Sequence, residues 1–312
     1  MLASARAFLE HLIDYAGMFP PAKLPMDNAL QNYTRYAASP DAWMLGRFVC
    51  QTPKLAELTA TLAQDGGPAV LAVAALGRGG HNLDELADRL DADRVGIADF
   101  RRTNIQPTVG TVELLVPPAL PASDLAQFVD YLGPRLMLDR LRAFLELPLS
   151  AHWEANVRSA GAMLAAARAY TCNSTPAVGL KLRCGGTGIP SVEQVASFVH
   201  LCSENDLPWK ATAGLHHPLR HRDGTSQMAH GFINVFGAGI LARVHRLNVE
   251  QIAEILREES AEAFRFNEAG FAWRDWSCTV DQIREARQWM PSFGSCSFDE
   301  PREDLRALGL ID

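Results

Sequence analysis

Six times between residues 43 and 244, a short apolar run is followed at once by a stretch whose apolar residues recur at helical spacing. This alternation constrains the fold more than any other feature of the chain. The runs are WMLGRFVCQ (43–51), AVLAVAALG (69–77), TVGTVELLVPP (108–118), RAFLELPLS (142–150), AVGLKLRCGG (177–186) and LPWKATAG (207–214). Strands that alternate with helices pair in parallel, because a parallel neighbour needs a crossover and the crossover is usually a helix. The predicted strands are 45–50, 69–75, 110–116, 143–148, 178–183 and 208–213. Two further candidates, SFGSCSF (292–298) and a strand within AFRFNEAGFAW (263–273), bring the number to eight. The expected fold class is therefore α/β, a (β/α)8 TIM-type barrel. Residues 1–42 are read as a helical cap or extension, since Ala3 to Tyr15 and Met26 to Ala38 both carry helical spacing around the Phe19-Pro20-Pro21 break, and 43–312 as the barrel of a single domain. An open doubly wound sheet is the alternative, weakened because Gly77-Arg78-Gly79-Gly80 follows the second strand and lacks the dinucleotide-binding glycine order.

At 312 residues, 48% apolar and 21% charged, the chain has material for one large core. No stretch approaches the roughly 18 apolar residues of a membrane span. With a net charge of −7 and scattered basic residues, nucleic acid is a poor partner and a small molecule a better one. Glu10, His11 and Asp14 interrupt the first apolar segment, so no export signal is read there. Six cysteines without a C-x-x-C pair look like reduced thiols, and the expected location is cytoplasmic. Nothing in the sequence decides whether the chain forms a homo-oligomer.

Lysine usage points to chemistry. The chain has 29 basic residues, of which only Lys23, Lys54, Lys181 and Lys210 are lysines, and two of the four sit inside strand patterns. Arginine replaces lysine freely as a surface cation but cannot attack a carbonyl or give up its proton. Period two puts Lys181 with Arg183 on one face, and Lys210 with Thr212 on one face of the next strand. If both faces line a barrel, two amines and a guanidinium meet near its C-terminal mouth, and clustered cations would lower the pKa of an amine. Glu113, Glu146 and Arg47 likewise interrupt apolar strands, where a charge is costly unless paired. These residues would serve as internal ion pairs, as site residues, or as both.

Glycines 185 and 186 in Cys184-Gly185-Gly186-Thr187-Gly188 could offer backbone N–H groups to an anion, or simply form a turn. His216 and His217, with Arg220 and His221 beyond, could move protons, donate to a substrate or bind a divalent metal, and adjacent histidines on an extended chain point apart. Ser295 and Ser297, beside Cys296, are candidate hydrogen-bond donors at a strand end, and DYAGMFPPA (14–22) is a candidate lid.

Two resemblances follow from these segments. Through LIDYAGMFPPA (12–22), WMLGRFV (43–49), KATAGLHHPLR (210–220) and SFGSCSFDEP (292–301), the chain resembles, over nearly its full length, a family of uncharacterised bacterial proteins; this likeness implies no particular activity. Locally, Lys210-Ala211-Thr212-Ala213-Gly214 is similar to the K-T-S-T-G strand of deoxyribose-phosphate aldolases, class I aldolases on a (β/α)8 barrel. That resemblance implies an imine on Lys210. The family's second lysine lies on the following strand, whereas here it would have to be Lys181 on the preceding one, and the family's phosphate-binding end has no clear counterpart.

The sequence thus predicts a lyase of aldolase-type carbonyl chemistry on a small, anionic oxo- or hydroxy-acid or a polyol. Lys210, Lys181, Glu146 and His216 would be catalytic; Arg183, Gly185, Gly186, Thr212, His217, Arg220, Glu113, Arg47, Ser295 and Ser297 would bind substrate. No cofactor is required, although a divalent metal is possible. The alternatives are a metal-dependent hydrolase, isomerase or lyase built on His216, His217, Glu146 and Glu113, and a non-enzymatic small-molecule binding protein.

Overall fold

A computed structural model describes residues 1–104, 108–117, 121–148, 152–172, 175–186, 188–224 and 226–312. Eight parallel strands close into a barrel: β1 (Ile13–Tyr15), β2 (Leu45–Gln51), β3 (Ala72–Leu76), β4 (Thr108–Leu115), β5 (Arg142–Glu146), β6 (Val178–Arg183), β7 (Trp209–Thr212) and β8 (Phe293–Ser295). Their order around the barrel is β1-β8-β7-β6-β5-β4-β3-β2, so each strand lies beside its sequence neighbours and β1 seals the ring against β8. The chain is a (β/α)8 barrel with a helical N-terminal extension, as its alternation predicts.

The 292–298 candidate supplies β8, but the strand expected within 263–273 is not in the barrel. Residues 264–266, 270–273 and 276–279 form a separate antiparallel sheet whose Phe271 ring packs 5.2 Å from Phe8. The missing barrel strand is β1, inside the segment read as a helical cap. The helical pattern there is real only over α1 (Ala3–Leu9); His11 then takes a left-handed φ of 49° and the chain turns into the barrel. A three-residue strand is too short to show period two, and its side chains are all buried, so it reads as a continuation of the apolar helix face.

A second helix, α2 (Met26–Ala37), turns Tyr33 and Tyr36 inward onto Tyr15 and Phe48. The helices α3 (Leu55–Asp65), α4 (Leu83–Thr103), α5 (Ala122–Asp139), α6 (Trp153–Ala166), α7 (Val192–Glu204) and α8 (Phe232–His245) form the outer layer. The mostly apolar α8 packs against α7 and the short α9 (Val249–Arg257) and α10 (Val280–Arg287), and its Phe236 ring lies tilted 5.2 Å from Trp209 and 5.8 Å from Phe293. The last helix, α11 (Asp299–Ala307), returns to the mouth of the barrel. Among the described residues, no helix is long and apolar enough to cross a membrane.

Candidate active site

Strand register assembles the site. Glu146 of β5 pairs with Lys181 of β6, and Lys181 pairs with Lys210 of β7, so three charged residues stand side by side on neighbouring strands. Around them runs a row of alternating charge: Arg47, Asp14, Lys210, Glu113, Lys181, Glu146, Arg183. The Lys210 Nζ donates to Asp14 Oδ2 at 2.6 Å and to Glu113 Oε1 at 2.5 Å. The Lys181 Nζ lies 2.7 Å from Glu113 Oε2 and 2.9 Å from Glu146 Oε2, and Arg183 Nε donates to Glu146 Oε1 at 2.7 Å. With four cations and three carboxylates the row carries one net positive charge. A buried charge is tolerated only when paired and hydrogen-bonded, and each carboxylate here has a partner on both oxygens.

This arrangement reverses one expectation. Two amines in direct apposition would depress each other's pKa, but Glu113 stands between Lys181 and Lys210. Burial alone would lower the Lys181 pKa; the charges of Glu113 and Glu146 outweigh it and hold the amine above its ordinary range. Burial likewise works to raise Glu113 and Glu146, yet Lys181 with Lys210, and Lys181 with Arg183, hold both carboxyls below the usual carboxylate value. At rest the Glu113–Lys181–Glu146 part of the row is ionised.

A cavity of about 690 Å³ opens above this lattice at the C-terminal mouth. Its floor includes Glu113, Glu146, Lys181 and Arg183, and its rim includes Thr212, Gly186 and His216. Lys210 is 1% exposed and lies beneath, its ammonium 5.8 Å from the Phe144 ring centroid. Of the two strand lysines, Lys181 is the one the cavity touches, whereas the five-residue resemblance points to Lys210. Segment 14–22 does contribute to the mouth, through Ala16, Phe19, Pro20 and Pro21.

The remaining expected residues divide. Gly185 faces Gly214 backbone to backbone: a Cβ on Gly185 would stand 2.7 Å from Gly214 Cα, and Gly214 itself has a φ of 71°. Glycine is required there to let the loops after β6 and β7 touch. Thr187 of the same loop lies outside the described residues. His216 reaches the mouth with its Nδ1 2.8 Å from Glu300 Oε2, while His217 turns away to Asp304 Oδ2 at 2.6 Å. Both carboxylates belong to α11, four residues apart, and both imidazoles line a neighbouring hollow of about 720 Å³. Of the two, His216 shares the cavity lining with Glu113 and Glu146, and among the described residues no group of three or more His, Cys, Asp or Glu is arranged to hold a metal. Arg220 lines a different surface hollow with Ser191 and Arg257. The hydroxyls of Ser295 and Ser297 accept from the backbone N–H groups of Ser297 and Glu300, which fixes the turn into α11, and neither serine is among the residues lining the cavity. Arg47 reaches the site mainly through its backbone N–H, which donates to Asp14 Oδ1 at 2.6 Å.

Asp14 is the residue the sequence did not assign to the site. Fully buried on β1, it accepts from Lys210, from Arg47 N–H and from Ser292 Oγ at 2.7 Å. The signal available was an acidic residue flanked by Leu12, Ile13 and Tyr15, the same signature that marks Glu113 and Glu146.

No family model matches the chain, and no curated protein does. Among solved structures it is similar to deoxyribose phosphate aldolase from Aeropyrum pernix, described as a unique tetrameric structure, at 12% identity over 70% of this chain and 82% of that one, with a TM-score of 0.47. It is similar to a putative dihydrodipicolinate synthase family protein from Coccidioides immitis at 17% identity over 81% and 77%, TM-score 0.40. Another similar structure is D-psicose 3-epimerase in the presence of D-fructose, at 9% identity over 89% and 96%, TM-score 0.42. At these values the likeness says nothing about chemistry in this chain.

Proposed function

We propose that the protein is an enzyme of aldolase-type carbonyl chemistry, acting on a small oxo-acid in the mouth cavity, with Lys181 as the amine that meets the substrate. The single observation that carries this reading is the position of the Lys181 ammonium, on the cavity floor between Glu113 and Glu146, in a barrel whose other strand lysine is sealed beneath. Arg183, whose side chain is about one-third exposed, is the group that meets a substrate carboxylate. As the anion draws the guanidinium, Glu146 loses part of the field that keeps it ionised and becomes a better proton acceptor.

Glu146 then takes a proton from Lys181. The neutral Nζ adds to the carbonyl carbon, the carbonyl oxygen takes up protons and leaves as water, and Glu146 returns its proton in that departure. An ammonium and a carbonyl thus become an iminium and water with no net change in protons. The iminium accepts the electron pair released when the neighbouring C–C or C–H bond breaks. Lys210, itself anchored by Asp14, helps keep Glu113 charged and fixed, which holds Lys181 in place. A non-covalent variant, in which the Lys181 ammonium only polarises the carbonyl, draws support from its two carboxylate partners.

Both variants labilise the C–H bond next to the carbonyl. Incubation with 2-oxobutanoate in D2O, followed by proton NMR, is expected to give enzyme-dependent loss of the C3 signal that disappears in Lys181→Met. Equal exchange in that variant, or none in the unaltered enzyme across a panel of short oxo-acids, would refute the proposal.

A further inference from the structure

The cavity walls carry a statement about the substrate's body, which rests on the carbonyl reading above and goes beyond it. The same lining includes Phe19, Pro20, Val49, Leu76 and Leu115. Among the described residues, uncharged hydrogen-bonding side chains on the lining are few: the Thr212 hydroxyl, the Cys296 thiol and the His216 imidazole, whose Nδ1 is already committed to Glu300. The floor carboxylates offer little to hydroxyl groups, because both oxygens of Glu113 and both of Glu146 are engaged by cations. Among the described residues, Arg183 commits its Nε to Glu146 and leaves its two terminal nitrogens to the cavity.

A polyhydroxylated chain in such a site would lose water from more hydroxyls than the described side chains can partner, and burying an unpartnered hydroxyl is costly. An apolar chain gains from the same walls. One guanidinium over a row with a single net positive charge matches one carboxylate, not a doubly charged phosphate ester. We infer that the substrate is a monoanionic 2-oxo acid with an aliphatic or aromatic side chain, or the aldol adduct of one, rather than a sugar acid, polyol or sugar phosphate. The carboxylate meets Arg183, the carbonyl meets Lys181, and the side chain lies against Val49, Leu76 and Leu115.

Binding and covalent chemistry are measured separately, so the inference and the reading beneath it can fail independently. Thermal-shift titration with 2-oxobutanoate, 2-oxopentanoate, 2-oxohexanoate and phenylpyruvate is set against 2-keto-3-deoxygluconate and glyceraldehyde 3-phosphate. Each titration is repeated with cyanoborohydride and intact-mass analysis. The half-saturating concentration is expected to fall about fourfold per added methylene, and 2-oxohexanoate is expected to bind at least about tenfold more tightly than the hydroxylated acid of the same carbon number. The isosteric Val49→Thr and the rim variant Leu115→Gln are each expected to flatten the aliphatic series. Should either variant fail to fold, the series on the unaltered protein still decides the matter. Graded binding without an adduct upholds the apolar-substrate inference and removes the imine. An adduct formed equally well with the hydroxylated acid upholds the imine and overturns the inference. Absence of binding by every compound overturns both.

Discussion

Lys181 and Lys210 occupy paired positions on adjacent strands, yet their amines meet through Glu113, which places one oxygen 2.7 Å from the first and the other 2.5 Å from the second. One carboxylate thereby converts what would be a repulsive pair of buried cations into a connected lattice. It also separates their roles, since one amine is left on the cavity floor and the other is enclosed.

Removing that bridge should be the most damaging single change in the barrel interior. Breaking a buried pair while leaving its partner charged costs about 3–5 kcal/mol, and Glu113→Gln takes one of its two carboxylate partners from each of two ammonium groups at once. Glu146→Gln should cost less, because its second partner, Arg183, is about one-third exposed and can turn to water. Urea denaturation of the two variants checks the order; equal stabilities would mean that the Lys210–Glu113 contact contributes nothing.

The acid limb of stability should carry the same signature. Glu113 and Glu146 have folded pKa values below the ordinary value of about 4.3, so their contribution is complete above that pH and is lost as pH falls through the lower folded values. Lys181 is raised, so its contribution is complete below about pH 10.4 and is lost only as pH rises beyond that through its folded value. The stability difference between the wild type and Glu113→Gln is therefore expected to be flat from pH 5 to neutrality and to shrink below about pH 4. A difference that persists unchanged to pH 2 would contradict the pairing.

Gly46 should prove indispensable to the site without touching it. A Cβ there would lie 2.2 Å from Asp14 Oδ1, with the backbone oxygens of His11 and Ile13 only 3.1 and 3.2 Å away, so the carboxylate has nowhere to retreat. Gly46→Ala is expected to cost at least about 2 kcal/mol, in the range of other overpacked cores, and to weaken proton exchange on substrate. Gly110→Ala on β4, where a Cβ meets nothing within 4 Å, is the matched control and should change little.

Much of this was legible in the sequence because charge inside an apolar strand is rare. Glu113, Glu146, Lys181, Arg183 and Lys210 each break such a run, and period two gives the face on which they sit. Period two does not give depth. Depth follows from the stagger between strands, which is why the sequence could not say that the cavity reaches Lys181 and stops above Lys210. Asp14 was hidden for a different reason. Its strand has three residues, it follows a helix whose apolar pattern runs into it, and its partner Ser292 lies 278 positions away. Ser295 and Ser297 are not among the residues lining the cavity; at a strand end their hydroxyl oxygens accept from the turn's own N–H groups.

The central claim is that the Lys181 amine is the group that adds to the substrate. The direct measurement is cyanoborohydride reduction with a 2-oxo acid of the series above, followed by peptide mapping by tandem mass spectrometry. The account predicts a reduced adduct on Lys181 within the segment Val178–Arg183, retained in Lys210→Met wherever that variant folds and absent in Lys181→Met. An adduct on Lys210, or turnover without an adduct on either lysine, would contradict it.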